Sequence, residues 1–447
     1  MSATSAGGIM TSTVRWMRAL DALTDADRRA LFDRTSSSDD TIRARTASIV
    51  ARVRRGGDDA LRTLAEEFDG VRLDSLEVPR KAWRTALDSL APELRRALER
   101  SAANIRTVHA AFRPVAQETE SEPGIVVGRR PDPLGRVGVY APGGRAAYPS
   151  SVLMGTVPAR VAGVGEIVLC SPPSRDSGAP SAVVLAAAAL GEADRVFALG
   201  GAGAIAALAY GTATVPRVDR IVGPGNAYVA EAKLQVSSAV AIDSPAGPSE
   251  LLVLCDDSAD PTLVARELLA QAEHDPLTAV VAIAMSERSA RAIISAIDAQ
   301  LPSQPRADII RAALSAQGAV LWTASLPDAI TFANEYAAEH LLLVVERLDE
   351  CLAALRNAGT IFVGPTASVA FGDYMSGANH VLPTGGLARS YSGLSTLDFV
   401  RWTTYQRVSS EAASRLANDV GTFADAEGLP GHASAARAWR TDSGGAR

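Results

Sequence analysis

Apolar positions along the chain follow two different periods. Between 40 and 112 they recur at helical spacing, which predicts helices over 41–55, 58–68, 79–90 and 92–112, rich in Arg, Ala and Leu with the charges on one face. From 135 the pattern changes to short apolar runs at 136–140, 166–171, 195–199, 220–222 and 239–242. Most of these strands end in a glycine or proline turn: Ala141-Pro142-Gly143-Gly144, Gly200-Gly201-Ala202-Gly203, Gly223-Pro224-Gly225-Asn226 and Pro245-Ala246-Gly247-Pro248-Ser249. Helices are expected between them, over 180–190, 204–210 and 227–236. Strand, glycine turn and helix, repeated about every 25 residues, predict a parallel sheet covered by helices on both faces. The rhythm continues with strands at 251–255, 279–284, 318–322 and 341–345, and a run at 357–363. Asp260 caps and Pro261 opens a helix reaching about 274. Beyond 366 the pattern dissolves into a Gly-, Ser- and Asn-rich loop, and 409–440 is helical with a break at 428–431.

The fold class that follows is α/β: two αβα, incomplete Rossmann-like domains with parallel sheets, plus small N- and C-terminal helical extensions. The expected boundaries are an arm at 1–30, a discontinuous first domain at 31–137 and 247–385, a second domain at 138–246, and a C-terminal extension at 386–447. Ligands of such sheets sit beyond the carboxyl ends of the strands, which here are the glycine turns.

Composition narrows the class. The chain has 447 residues, 47% of them hydrophobic but only 5% aromatic, so a large core is built from Ala, Val, Leu and Ile. The net charge of −6 is spread without a basic stripe, which argues against nucleic acid as a partner. Cys170, Cys255 and Cys351 are far apart and form no CxxC, so a reducing, cytoplasmic compartment is expected. No apolar run is long enough for a membrane span, and residues 1–15 carry no signal-peptide core.

Chemistry concentrates around four of the five histidines. Gln271 and His274 are three apart at a helix end, so both project from one face. They could hold a metal or a polar ligand, or His274 could simply favour the helix dipole. Glu339-His340 stands at a helix–strand junction. An adjacent carboxylate and imidazole can serve as two bases of different pKa, although alone the pair also reads as a solvated helix end. The loop 370–384 gathers Asp373, Asn379 and His380, a density beyond that of a plain connector. Glu427 and His432 flank the glycine break near the C-terminus. His109, by contrast, lies in a long helix and reads as a surface or packing residue, and Cys170 reads as a buried strand cysteine. Gly201-Ala202-Gly203-Ala204-Ile205-Ala206 matches G-x-G-x-x-A, yet the acidic partner expected after the next strand is missing.

Taken together, eight blocks in order resemble the histidinol dehydrogenase family over roughly 40–440. They are Gly-Val-Tyr-Ala-Pro-Gly-Gly (138–144), Gly-Pro-Gly-Asn-Ala-Tyr-Val (223–229), Pro-Ala-Gly-Pro-Ser-Glu (245–250), Leu-Leu-Ala-Gln-Ala-Glu-His-Asp (268–275), Glu-His-Leu (339–341), Phe-Gly-Asp-Tyr-Met-Ser-Gly-Ala-Asn-His-Val-Leu-Pro-Thr (371–384), Ser-Gly-Leu-Ser-Thr (392–396) and Glu-Gly-Leu-Pro-Gly-His (427–432). The resemblance implies a zinc-dependent homodimer that oxidises L-histidinol to L-histidine with two NAD+ through a bound aldehyde. It implies Zn2+ ligation by Gln271, His274, Asp373 and His432, a donor set that suits a borderline metal. It also implies substrate contacts from Ser249, His340 and Glu427 beside the metal ligands, with Glu427 and His432 reaching the partner subunit's site. His340 resembles the general base, and Glu339 the group that activates water. The first domain would then carry the metal and catalytic residues and the second would bind NAD+ near Tyr140, Asn226 and Gly203. At Gly203 the family has a glutamine, so one cofactor contact departs from its pattern. Two alternatives remain open at this point: a relative acting on another amino alcohol or a sulfonated alcohol, and a non-catalytic binding protein on the same fold.

Overall fold

Runs of Leu, Val, Ile and Ala that are apolar at every position need cover on both faces, and two parallel sheets provide it. The computed structural model describes residues 13–34, 40–143 and 147–440. The chain before residue 13 and Gly144 of the first glycine turn lie outside the described residues.

The first sheet has six parallel strands in the order β1-β11-β10-β9-β12-β13. These are β1 (Trp16–Ala19), β9 (Glu250–Cys255), β10 (Ala279–Ala284), β11 (Gly318–Trp322), β12 (His340–Val344) and β13 (Thr360–Val363). Side chains alternate between its faces. Leu251, Val253, Val280 and Ala282 enter one core, while Leu252, Leu254, Val281 and Ile283 enter the other. The segment expected as an N-terminal arm supplies the edge strand β1, in register with β11 from Trp16 opposite Ala319.

The second sheet has five parallel strands in the order β6-β5-β4-β7-β8. They are β4 (Arg136–Tyr140), β5 (Glu166–Ser171), β6 (Arg195–Ala198), β7 (Arg220–Val222) and β8 (Ala241–Ile242). The chain starts at the central β4, winds out to one side, then returns to the other, so the strand order reverses between β4 and β7. In the six-stranded sheet the same reversal falls between β9 and β12. Two parallel sheets of this kind bear out the expected fold class. The helices predicted over 40–112 form as Asp40–Leu64, kinked at Gly57, Arg80–Asp88 and Pro92–Ala111. They pack on helices of the five-stranded sheet, not on the six-stranded one with which the sequence groups 31–137.

A third sheet was not expected. β2 (Gln117–Glu122), β3 (Ile125–Pro133) and β14 (Val400–Val408) pair antiparallel in the order β14-β3-β2. With helices Ser410–Ala426 and Pro430–Arg437 they make up a second compact unit, residues 113–133 and 400 onward, while both parallel sheets belong to the first. The C-terminal extension is therefore strand and helix, not helix alone. No helix among the described residues is long and apolar enough to cross a membrane.

Candidate active site

The site grows from the amino end of the six-stranded sheet. Helix Leu326–Tyr336 ends on Ala337, a fully buried residue held left-handed at φ 51°. That turn delivers Glu339 and His340 to the start of β12, next to the start of β9, and both side chains are buried. The local reading of a solvated helix end is therefore wrong for this pair. The candidate residues of this sheet stand at the amino ends of its strands, whereas the glycine turns stand at carboxyl strand ends. Its strands begin at the site, and the helices that return the chain to those beginnings carry the polar groups.

Glu250 and Glu339 bind each other's backbone. The Glu250 N–H donates to Glu339 Oε2 at 2.7 Å, and the Glu339 N–H donates to Glu250 Oε2 at 3.3 Å. His340 Nδ1 lies 3.0 Å from the Glu250 carbonyl oxygen and 3.4 Å from Glu339 Oε2. A carbonyl can only accept, so Nδ1 carries a proton and donates. His340 Nε2 is buried with no hydrogen-bond partner and lies 3.6 Å from Asp373 Oδ1. Burial pushes the imidazole's pKa down, but the carboxylates of Glu339 and Asp373 outweigh it and raise the pKa to about 10. Phe362 backs the ring at 5.9 Å between centroids.

Asp373 does not sit on a loop. It lies in a short helix, Val369–Tyr374, at the head of the segment expected as a loop. Burial raises its carboxyl pKa, but His340, His380 and His274 more than reverse this, so it stays below the usual range. The rest of the segment is pinned from two sides. Asn104 donates to the Met375 carbonyl at 2.7 Å, and Asn379 donates to the Met154 carbonyl at 2.8 Å. His380 bridges the Asp373 carbonyl, 3.0 Å from Nδ1, and the Ser151 hydroxyl, 3.3 Å from Nε2. Ser151 and Met154 belong to helix Pro149–Ala162, which follows β4 of the five-stranded sheet.

Gln271 is buried in the last turn of helix Pro261–Ala272, and the His274 N–H donates to its carbonyl at 3.2 Å. Ser249, half-buried, precedes Glu250 directly. His274, His340, His380 and Asp373 therefore share one neighbourhood, with Gln271 one turn away. Glu427 and His432 lie in the second unit, exposed, at the end of one helix and the start of the next. No group of three or more His, Cys, Asp or Glu side chains among the described residues could hold a metal by itself.

The cofactor candidates follow carboxyl strand ends of the five-stranded sheet: Tyr140 and Asn226 at β4 and β7, which flank its reversal point, and Gly203 after the edge strand β6. The Tyr140 hydroxyl accepts the Gly201 N–H at 3.1 Å, so a phenol covers the helix start where a dinucleotide phosphate would dock in the G-x-G-x-x-A reading. Gly203 faces Leu64, 3.2 Å from where a Cβ would stand, and so packs against the helix Asp40–Leu64. Asn226 caps helix Ala227–Val236, its Oδ1 accepting from Tyr228 and Val229. That cap leaves its amide N–H2 pointing outward from an exposed side chain. Cys170 is buried, as read from the sequence, and His109, read as either surface or packing, is buried too. Two residues that no motif singled out complete the site: Arg34, which pairs with Glu250, and Ser151.

The family model for histidinol dehydrogenase matches residues 32–440. The histidinol dehydrogenase of Halobacterium salinarum is 49% identical over 409 residues, 91% of this chain and 95% of its own. That of Burkholderia lata is 46% identical over 435 residues, covering 96% and 99%. The crystal structure of histidinol dehydrogenase from Elizabethkingia anophelis matches with a TM-score of 0.91 at 32% identity, over 96% of this chain and 98% of that one. The resemblance carried by the eight blocks is borne out.

Proposed function

The chain belongs to the histidinol dehydrogenase family, a family of oxidoreductases, and on that premise we propose that it oxidises L-histidinol to L-histidine in two NAD+-linked steps. The observation that carries the reading is the state of His340. Its Nδ1 is committed to a backbone carbonyl, its Nε2 is buried and without a partner, and a carboxylate stands beside it in sequence and in space.

His340 Nε2 takes the alcohol proton in the first oxidation and a proton of the hydrated aldehyde in the second. Glu339 takes a proton from the water that hydrates the aldehyde. Its Oε2 is held by the Glu250 N–H, which leaves Oε1 for the water. Tyr140 and Asn226 at the five-stranded sheet would hold NAD+, which would supply the hydride acceptor for each step. Gly203 is buried against Leu64 and is the weakest of the three cofactor contacts.

The donor chemistry fits Zn2+. Gln271 is a buried amide, His274 supplies an imidazole, and the Asp373 carboxyl is held below its usual range in part by His274, donor types that suit a borderline metal. His432, exposed in its own unit, would complete the set from a second copy of the chain, together with Glu427 as a substrate contact. A zinc ion held by these residues would supply a template for the substrate's amino and imidazole nitrogens, and Asp373 would then serve as a metal ligand beside His340. Ser249 lines the same edge. The three cysteines are free thiols, which suits a cytoplasmic enzyme.

An assay with histidinol and NAD+, run with and without a strong chelator, tests this reading. Two NADH per histidinol and loss of turnover on metal removal are expected. One NADH per substrate, or full turnover in protein shown to be metal-free, overturns the four-electron zinc-dependent reading.

A further inference from the structure

Arg34 and Glu250 form an ion pair whose side chains are 3% and 1% exposed, with Arg34 Nε 3.0 Å from Glu250 Oε1. A fully buried pair is a poor way to gain stability, because desolvating both charges offsets most of their attraction. The contacts of Glu250 point to a different use. Its Oε1 also accepts the Gly385 N–H at 2.6 Å, next to the segment that carries Asp373 and His380. Its Oε2 accepts the Glu339 N–H, its own N–H holds the Glu339 carboxylate, and its carbonyl fixes the Nδ1–H tautomer of His340. Every polar atom of this residue is spent on a segment of the site. Arg34 locks the arrangement from behind: it donates to the Tyr336 carbonyl at 2.7 Å and stacks over the Tyr336 ring at 3.5 Å. Tyr336 ends the helix that delivers Glu339.

We infer that Glu250, held in place by Arg34, is the positioning residue of the acid–base couple: it orients the Glu339 carboxylate and fixes the His340 tautomer that leaves Nε2 as the base. This role rests on the proposed oxidation of histidinol. Glu250 does not touch substrate; it acts through Glu339 and His340.

Glu250→Gln keeps the shape but puts an N–H2 where a backbone N–H must be accepted, so at least one of the contacts to Gly385, Arg34 or Glu339 is lost. The purified full-length variant is assayed beside the parent with histidinol and, separately, with histidinaldehyde, and its folded fraction is measured by thermal melting. The expected result is a kcat about 10- to 100-fold lower per folded molecule, as for other residues that orient a reacting group, with KM for histidinol within about twofold. The aldehyde reaction, which needs Glu339, is expected to lose more than the alcohol reaction. Arg34→Lys keeps the charge beside Glu250 but cannot reach Glu250 and the Tyr336 carbonyl together, and it should lose kcat by about threefold to tenfold. This variant decides the matter if Glu250→Gln does not fold. A kcat per folded molecule equal to the parent's in the variants that fold overturns the positioning role and leaves a structural one. A parent enzyme inactive on histidinol overturns the functional reading and this role with it, and the parent's own rate tells that failure apart.

Discussion

His340 Nε2 faces Asp373 Oδ1 across 3.6 Å with no hydrogen bond between them or to any other described residue. A buried imidazole nitrogen left without a hydrogen bond costs stability, and the proposed role as general base gives that cost a use. His340→Asn removes that nitrogen and keeps a polar side chain of smaller volume. Both hydride steps are expected to slow by about 10²- to 10⁴-fold, the range for losing a general base, with KM for NAD+ unchanged. Single-turnover measurements from alcohol and from aldehyde check this; a normal rate from either substrate removes His340 as the shared base.

On the proposed mechanism Glu339 divides the two oxidations. Only the second consumes water, so Glu339→Gln is expected to leave the first hydride transfer within about tenfold of the parent and to slow aldehyde oxidation by about 10²-fold or more. The NADH yield per histidinol in a single turnover then falls from two toward one, with aldehyde retained on the protein. A variant that oxidises histidinaldehyde as fast as the parent contradicts the water-activating role.

Metal loading is expected to follow the donors individually. His274→Ala, Gln271→Ala and Asp373→Asn should each lower the zinc bound per chain, read by elemental analysis after dialysis, by about tenfold or more in affinity. His432→Ala should do the same, although it lies in a separate unit. Mixing His432→Ala chains with His274→Ala chains should restore part of the activity if His432 acts across subunits. Absence of any recovery, with mixed dimers shown to form, rules out completion by a second copy.

The two parallel sheets were legible because their strands are apolar without interruption and their turns are written in glycine and proline. Leu251–Cys255 and Ala279–Ala284 admit no other buried arrangement in so short a run. The antiparallel sheet was not legible, since Gln117–Glu122 is exposed at every position and carries no alternation. The chemistry-bearing residues were found from local blocks, but their surroundings were not. Arg34 and Glu250 are 216 residues apart, and nothing in either neighbourhood predicts the other. The amino-end location of the site was also hidden. It depends on which sheet Glu339 and Glu250 begin, and strand order is not encoded in any local pattern. At Gly203 the sequence shows a G-x-G spacing without its acidic partner, and the structure adds that Leu64 packs near Gly203 and the Tyr140 hydroxyl accepts the Gly201 N–H.

The reversal point of the five-stranded sheet gives a test of the cofactor region. Gly223 has φ 116°, and a Cβ there would stand 2.1 Å from the Tyr140 carbonyl oxygen. Gly223 stands three residues before Asn226, and Gly223→Ala must push β7 and β4 apart at Tyr140. The expected cost is about 2–4 kcal/mol of stability, from strain plus overpacking. Titration with NAD+ at a temperature where the variant is folded should show at least about fivefold weaker binding. Unchanged NAD+ affinity, with histidinol binding lost instead, moves the cofactor away from this turn.

His109 provides a test of stability independent of the chemistry. It is 1% exposed, both ring nitrogens lack partners, and Phe112 meets it edge-on at 5.8 Å between centroids. Burial disfavours the charged ring and lowers its pKa from 6.5 to about 4. The sign follows from proton binding. Between these two values the unfolded chain holds the proton and the folded chain does not, so acid favours unfolding. The contribution is fully present above pH 6.5 and is lost as pH falls toward 4, up to about 3 kcal/mol over the whole window. His109→Leu removes the titrating group while keeping an apolar side chain against Phe112. Its urea midpoint should therefore fall less than the parent's between pH 7 and pH 5. Parallel slopes in the two proteins show that His109 titrates normally and that its ring reaches water.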